Sequence, residues 1–115
     1  MSNDDNIEIG AADAQRRFAD GEVQIVDVRE DGEWAHSRIP GDVQHIPLGE
    51  LTQRAGEIGG DQPIVFQCRS GVRSLMAAQA FRAAGREAYS LEGGLIAWDE
   101  AGLPVEPEGA GVAEH

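Results

Sequence analysis

The fold is decided near the middle of the chain, where residues 64–74 read Ile64-Val65-Phe66-Gln67-Cys68-Arg69-Ser70-Gly71-Val72-Arg73-Ser74. The apolar run that opens this stretch predicts a buried strand, and the helical spacing of apolar residues beyond it predicts a helix. Cys68 then lies at the carboxyl end of the strand. The helix that follows points its unpaired N–H groups and its positive dipole end at the intervening loop. Because ligands bind at this edge of an open α/β sheet, the loop is the predicted site.

The residue types of the loop favour a reactive cysteine. Two arginines favour the thiolate form, a glycine lets the backbone turn tightly, and two serines supply hydroxyl groups. These neighbours of Cys68 are Arg69, Ser70, Gly71, Arg73 and Ser74. The alternative is an inert core thiol, since free cysteine is among the most buried residue types. An inert thiol has no need of such neighbours, so the reactive interpretation is preferred.

Composition limits the class of protein. A chain of 115 residues fits one domain with a core of its own. It has a single cysteine, no visible amino-terminal signal segment and no apolar run of membrane-spanning length, so a cytoplasmic location without a membrane partner is expected. The net charge of −12 argues against a nucleic-acid partner. The histidines and the cysteine have no metal-ligand spacing, and no glycine motif suits a dinucleotide, so neither metal nor cofactor is expected.

Strand-like and helix-like patterns alternate along the chain. Strands are predicted near residues 7–9, 23–28, 43–46, 64–66 and 86–91, and helices near residues 10–19, 30–37, 48–58, 72–84 and 95–101. This alternation predicts an α/β fold, with a mainly parallel sheet of about five strands and helices on both faces. We expect residues 1–6 to be a flexible amino terminus, residues 7–104 to form the domain and residues 105–115 to be a flexible acidic tail.

Three motifs resemble those of the rhodanese family. The loop from Cys68 to Ser74 is close to the active-site loop of these sulfurtransferases, which carry a sulfur atom as a persulfide on the cysteine. Asp27-Val28-Arg29 resembles the family sequence that closes the second strand. Glu92-Gly93-Gly94, followed by Trp98 and Gly102, resembles its closing pattern, in which the glycines permit a tight approach to the cysteine loop. The motifs span most of the chain, so the resemblance implies a single rhodanese-like domain.

The resemblance implies a role for each matching residue. Cys68 is the expected catalytic nucleophile, and the loop that binds the substrate and the persulfide comprises Arg69, Ser70, Gly71, Val72 and Arg73. Asp27, Arg29 and Ser74 are the expected supporting residues. An aspartate at the end of a strand is equally suited to cap the next helix, and this alternative for Asp27 stays open.

The two arginines of the loop are expected to act differently. Arg69 directly follows the nucleophile, so its side chain should lean toward solvent and attract anionic donors. Arg73 lies where the loop runs into the helix, so it is expected to tie the loop to a carboxylate such as Asp27 or Glu92.

The predicted reaction moves sulfane sulfur from a small anionic donor such as thiosulfate, through a Cys68 persulfide, to cyanide, a small thiol or a protein thiol. One alternative is a cysteine-dependent phosphatase or arsenate reductase, but those families place the arginine one residue further from the cysteine than Arg73 is here. The other alternative is a sulfur-carrying or partner-binding module without efficient turnover. A monomer is expected.

Overall fold

The computed structural model describes residues 6–113, in which five strands alternate with five helices. The strands are β1 (Glu8–Ile9), β2 (Gln24–Asp27), β3 (Gln44–His45), β4 (Ile64–Gln67) and β5 (Ala88–Leu91). The helices are α1 (Ala11–Ala19), α2 (Asp31–His36), α3 (Leu51–Arg54), α4 (Val72–Ala83) and α5 (Gly94–Glu100), with short 3₁₀ turns on either side of α3. Each predicted strand and helix is present, with shifted ends. Of the predicted flexible ends, residues 1–5 and 114–115 lie outside the described residues.

All five strands are parallel and lie in the order β1-β5-β4-β2-β3. The central strand, β4, pairs with β2 through Val26 and Phe66 and with β5 through Phe66 and Ser90. The loop that contains Cys68 therefore leaves the middle of the sheet, between the carboxyl ends of two neighbouring strands. The predicted single α/β domain with a parallel sheet is confirmed.

Helices cover the sheet on both faces. One face packs against α3 and α4 in a core that includes Val26, Val28, Ile46, Leu51, Ile64, Phe66, Ala77, Ala78 and Phe81. The other face packs against α1 and α5 in a core that includes Ile9, Ala14, Ile25, Val65, Leu91, Leu95 and Trp98. This arrangement explains why the strands are apolar on both sides. No helix within residues 6–113 is both long enough and apolar enough to cross a membrane.

The buried side of α4 differs from the side that its apolar residues predict. Ser74, Ala77, Ala78 and Phe81 are buried at helical spacing, whereas Met76 is 55% exposed. The helix is rotated this way because Ser74 faces the cysteine loop, which puts the residues three, four and seven positions later against the sheet. Packing at the site thus overrides the apolar pattern of this helix.

Trp34 in α2 is only half-buried and stacks on His45, with ring centroids 4.8 Å apart and planes 4° apart. The buried residue of α2 is Glu33. This short helix therefore presents a carboxylate to the interior.

Residues 105–113 make specific contacts with the domain. Arg38 and Glu106 form an antiparallel bridge through their backbones, and the Ser37 hydroxyl donates to the carbonyl oxygen of Gly111. Val112 packs against the core shared by α1 and α5. The flexibility of residues 105–115 stays a prediction. Contacts with the domain nevertheless continue beyond residue 104, where the domain was predicted to end.

Two glycines allow α5 to begin directly against the cysteine loop. Gly93 and Gly94 have positive φ angles of 73° and 59°, a region that other residues rarely adopt. A Cβ atom at Gly94 would lie 2.6 Å from the carbonyl carbon and oxygen of Arg69. The expected tight approach of the glycine pair to the loop is confirmed.

We expect Gly94→Ala to lower the free energy of unfolding by more than about 2 kcal/mol, because it adds a positive-φ penalty to a backbone clash. Urea unfolding followed by circular dichroism measures the loss. Gly49→Ala is the matched control, since nothing lies within 4 Å of the Cβ that it adds. Equal stability of the two variants would contradict this role of Gly94.

Candidate active site

The sulfur of Cys68 is enclosed by hydrogen-bond donors. Cys68 is only 1% exposed, and its Sγ lies 3.1 Å from the backbone nitrogen of Gly71 and 3.4 Å from that of Ser74. The Ser74 hydroxyl oxygen lies 3.5 Å from the same sulfur. Gly71 turns its N–H toward the sulfur by adopting a φ of 101°. Donors that converge on one atom stabilise negative charge there, so the loop can stabilise an anionic sulfur.

The carbonyl groups of the loop point away from the sulfur, toward α5. The N–H of Leu95 donates to the carbonyl of Cys68 at 2.8 Å, and the N–H of Ile96 donates to that of Arg69 at 3.1 Å. The first turn of α5 thus binds the loop oxygens, while the first turn of α4 directs an N–H at the sulfur. The loop is held between two helix amino termini.

Arg73 ties the loop to α2 through a salt bridge. Its two terminal nitrogens lie 2.7 and 2.8 Å from the two carboxylate oxygens of Glu33. These hydrogen bonds raise the pKa of Arg73 above its ordinary value, so the guanidinium stays charged. Glu33 also accepts the N–H of Glu30, which places its carboxylate at the start of α2.

Neither of the carboxylates given as examples, Asp27 and Glu92, is the partner of Arg73. Asp27 is instead committed to Arg29, and the carboxylate opposite the end of the loop belongs to Glu33. Sequence reasoning missed Glu33. The signal that points to it is the Glu30–Glu33 spacing at the start of a short helix, which is the spacing of a capping box.

Asp27 and Arg29 form a wholly buried ion pair beside the strand that precedes Cys68. Nη2 of Arg29 lies 2.8 Å from Oδ2 of Asp27 and also donates to the carbonyl of Ser37. The side-chain amide of Gln67 donates to the same aspartate oxygen at 2.8 Å. Neither residue of the pair is bonded to the sulfur. Gln67 therefore links Asp27 to the end of β4, and Arg29 links it to the end of α2. Asp27 accepts the N–H of Arg29 rather than capping α2, whose N-cap residue is Glu30.

The remaining loop residues surround the mouth of the site. Ser70 is exposed, and Val72 is 67% exposed at the first turn of α4. Arg69 is half-buried, and its Nε donates to the carbonyl of Ala113 at 2.8 Å. This bond leaves the two terminal nitrogens of Arg69 without a hydrogen-bond partner in the described part of the chain.

Ser90 is a second residue that sequence reasoning missed. Its hydroxyl oxygen lies 2.7 Å from that of Ser74, and both residues are fully buried. The only signal in the sequence is a serine within the last, otherwise apolar, strand. The structure therefore adds Ser90 and Glu33 to the neighbourhood of the predicted loop.

Comparison with known proteins gives consistent matches. Residues 10–101 match the family model of the rhodanese-like domain. The chain is 40% identical over 105 residues to a sulfurtransferase of Allochromatium vinosum, covering 89% of this chain and 97% of that protein. It is 45% identical over 107 residues to an HTH-type transcriptional regulator of Mycobacterium tuberculosis, covering 90% of this chain but only 46% of the regulator. The crystal structure of a rhodanese-related protein from Thermoplasma volcanium superimposes with a TM-score of 0.80 at 30% identity, covering 88% of this chain and 98% of the other.

We expect Arg73→Ala and Glu33→Ala each to lower the free energy of unfolding by about 2 kcal/mol or more, because each leaves a largely buried charge without its partner. The double variant should be no less stable than either single variant, as chemical denaturation of all three will show. Arg54→Ala is the control, since Arg54 also pairs with two glutamates, Glu50 and Glu57, but at the surface, and its loss should change stability little. Additive losses at Arg73 and Glu33 would contradict the pairing.

Proposed function

This chain belongs to the rhodanese-like family, and we propose that it is a sulfurtransferase that carries sulfane sulfur on Cys68. The family resemblance of its motifs is confirmed, and one of its relatives is named a sulfurtransferase. The observation that carries the proposal is the position of the Cys68 sulfur, which is buried at a strand end with the N–H groups of Gly71 and Ser74 directed at it. Such a sulfur is held as a nucleophile and is protected from bulk solvent.

In the first step the Cys68 thiolate attacks the outer sulfur of a donor such as thiosulfate. A bond forms between Sγ and that sulfur, the sulfur–sulfur bond of the donor breaks, and its electron pair leaves with sulfite. The negative charge of the thiolate moves to the terminal sulfur of the new persulfide. No proton is transferred, so the step needs no general base.

In the second step a nucleophilic acceptor attacks the terminal sulfur of the persulfide. The bond between the two sulfurs breaks, and its electron pair returns to Cys68 as a thiolate. Cyanide leaves as thiocyanate, and a small thiol or a protein thiol leaves as a persulfide. The backbone N–H groups between Arg69 and Arg73 are the proposed cradle for the anionic outer sulfur.

The distribution of charge on the protein supports an anionic sulfur donor. The chain as a whole carries a net charge of −12, which repels anions from most of the surface. Arg73 is neutralised by Glu33, whereas Arg69 lies at the mouth with both terminal nitrogens available. We propose that Arg69 draws the donor toward Cys68. We also propose a cytoplasmic location, because a reducing compartment protects a reactive thiol from oxidation.

Treatment with thiosulfate is expected to add the mass of one sulfur atom to the protein, and cyanide is expected to remove it. Intact-mass measurement detects both changes, and Cys68→Ser should gain nothing. The same samples should be tested on an aryl phosphate. Cys68-dependent hydrolysis of the phosphate without sulfur loading would replace this proposal with a phosphatase. Loading without repeated turnover would indicate a sulfur carrier.

Arg69→Ala should raise the KM for thiosulfate about fivefold and leave kcat unchanged, because it removes attraction that acts equally on bound donor and transition state. Added salt should shrink the difference by screening the charge. Steady-state kinetics at low and high ionic strength will measure both effects. Arg86→Ala is the control, since Arg86 precedes β5 at the opposite edge of the sheet and binds the carbonyl of Gly59. A fall in kcat without a change in KM would contradict the role of Arg69 in donor attraction.

A further inference from the structure

We propose that Ser90 is a positioning residue that directs the hydroxyl hydrogen of Ser74 at the Cys68 sulfur. The inference rests on the proposed function, because it assigns part of the stabilisation of the thiolate that sulfur transfer uses. Ser90 does not touch the sulfur and acts through Ser74.

Within residues 6–113, the hydrogen-bond contacts of the Ser90 hydroxyl are with the cysteine loop. Its oxygen lies 2.7 Å from the hydroxyl oxygen of Ser74 and 3.5 Å from the carbonyl oxygen of Gly71. Ser74 and Gly71 are the two residues whose N–H groups donate to the sulfur. One side chain on β5 thus contacts both donor residues of the site.

Because both serines are buried, their hydroxyl groups bond to protein groups rather than to water. Ser90 and Ser74 are both fully buried, where a hydroxyl group without a partner costs free energy. β5 pairs with a strand on each side, so the backbone that carries Ser90 is held rigidly. The hydroxyl therefore has a small set of fixed partners instead of water.

The distances decide where the hydrogens point when Cys68 is a thiolate. A thiolate only accepts hydrogen bonds, so in any hydrogen bond between Ser74 and a Cys68 thiolate the Ser74 hydroxyl is the donor. The Ser74 oxygen can then accept from Ser90. The alternative acceptor for Ser90, the carbonyl of Gly71, is more distant at 3.5 Å and already accepts the N–H of Leu75 at 3.1 Å. With Cys68 as a thiolate, the arrangement therefore favours a chain of donors from Ser90, across the 2.7 Å contact, through Ser74 to the sulfur.

This chain acts when charge resides on Sγ. Charge is on Sγ before the donor is attacked, and it returns there when the acceptor takes the outer sulfur and the electron pair of the broken bond moves to Cys68. A hydroxyl that itself accepts a hydrogen bond is a stronger donor, so Ser90 strengthens the bond from Ser74 to the departing thiolate. Loss of Ser90 should therefore slow the transfer to the acceptor as well as reduce the thiolate population.

Alkylation of Cys68 by iodoacetamide, followed by intact mass over a range of pH, tests the proposal without any sulfur donor. At a pH where ionisation limits the rate, we expect alkylation to slow about threefold in Ser90→Ala and about tenfold in Ser74→Ala, because the thiolate loses donors. The pH at half-maximal rate should rise in both variants. A failure of thiosulfate to load Cys68 would overturn the proposed function but would leave this measurement valid.

A double-variant cycle separates positioning from a purely structural role. If Ser90 acts through Ser74, alkylation of Ser74→Ala combined with Ser90→Ala should be no slower than that of Ser74→Ala alone. Additive losses, or unchanged alkylation in Ser90→Ala, would overturn the proposal. Ser37→Ala is the control. Ser37 is also a buried serine, but its hydroxyl binds the carbonyl of Gly111 and not the cysteine loop.

Conservative variants test the hydroxyl itself. Ser90→Thr keeps the hydroxyl and should give the alkylation profile of the unmodified sequence. Ser90→Val has the shape of the threonine side chain without the hydroxyl and should alkylate as slowly as Ser90→Ala. This pair carries the test if Ser90→Ala does not fold. In single-turnover transfer of the persulfide sulfur to cyanide, Ser90→Thr should likewise react faster than Ser90→Val. Equal rates for these two variants would overturn the role of the hydroxyl.

Discussion

The site depends on the hydrogen bonds by which the first turn of α5 holds the carbonyl groups of Cys68 and Arg69. Peptide groups are planar, so fixing these oxygens on one side of the loop helps fix its N–H groups on the other. The N–H groups of Gly71 and Ser74 then converge on the sulfur. Only a glycine at position 94 allows this approach, because a Cβ there would overlap the Arg69 carbonyl. One helix start thus shapes a site whose nucleophile lies at the end of a different element.

Among the described residues, the charged ones around the loop divide into those paired with an opposite charge and one that is not. Asp27 and Arg29 neutralise each other inside the fold, and Arg73 is neutralised by Glu33. Buried charges that keep their partners hold elements together, here the end of β2 with the end of α2 and α4 with the start of α2. Arg69 is different, because its terminal nitrogens remain available at the mouth. The protein therefore carries a strongly acidic surface and still presents a cation beside its nucleophile.

Much of the fold could be predicted because the local apolar and glycine patterns agree with where the strands and helices lie in the sheet. The apolar run before Cys68 forms the central strand, and the glycine pair after β5 begins α5 as expected. Prediction failed where a long-range contact decides orientation. Met76 is exposed because α4 turns Ser74 toward the loop, and Glu33 is buried because Arg73 meets it across 40 positions of sequence. Local periodicity contains no information about such partners.

The sequence by itself was enough to predict a reactive sulfur and a loop that binds anions, from the residue types around Cys68. It also determined the α/β alternation, because the spacing of apolar residues sets the period of each element. Only the tertiary structure decided which carboxylate binds Arg73 and which hydroxyl binds Ser74. The physical reason is that hydrogen bonds and salt bridges require atoms to meet within about 3 Å. Whether residues distant in sequence meet that closely depends on the packing of the whole domain.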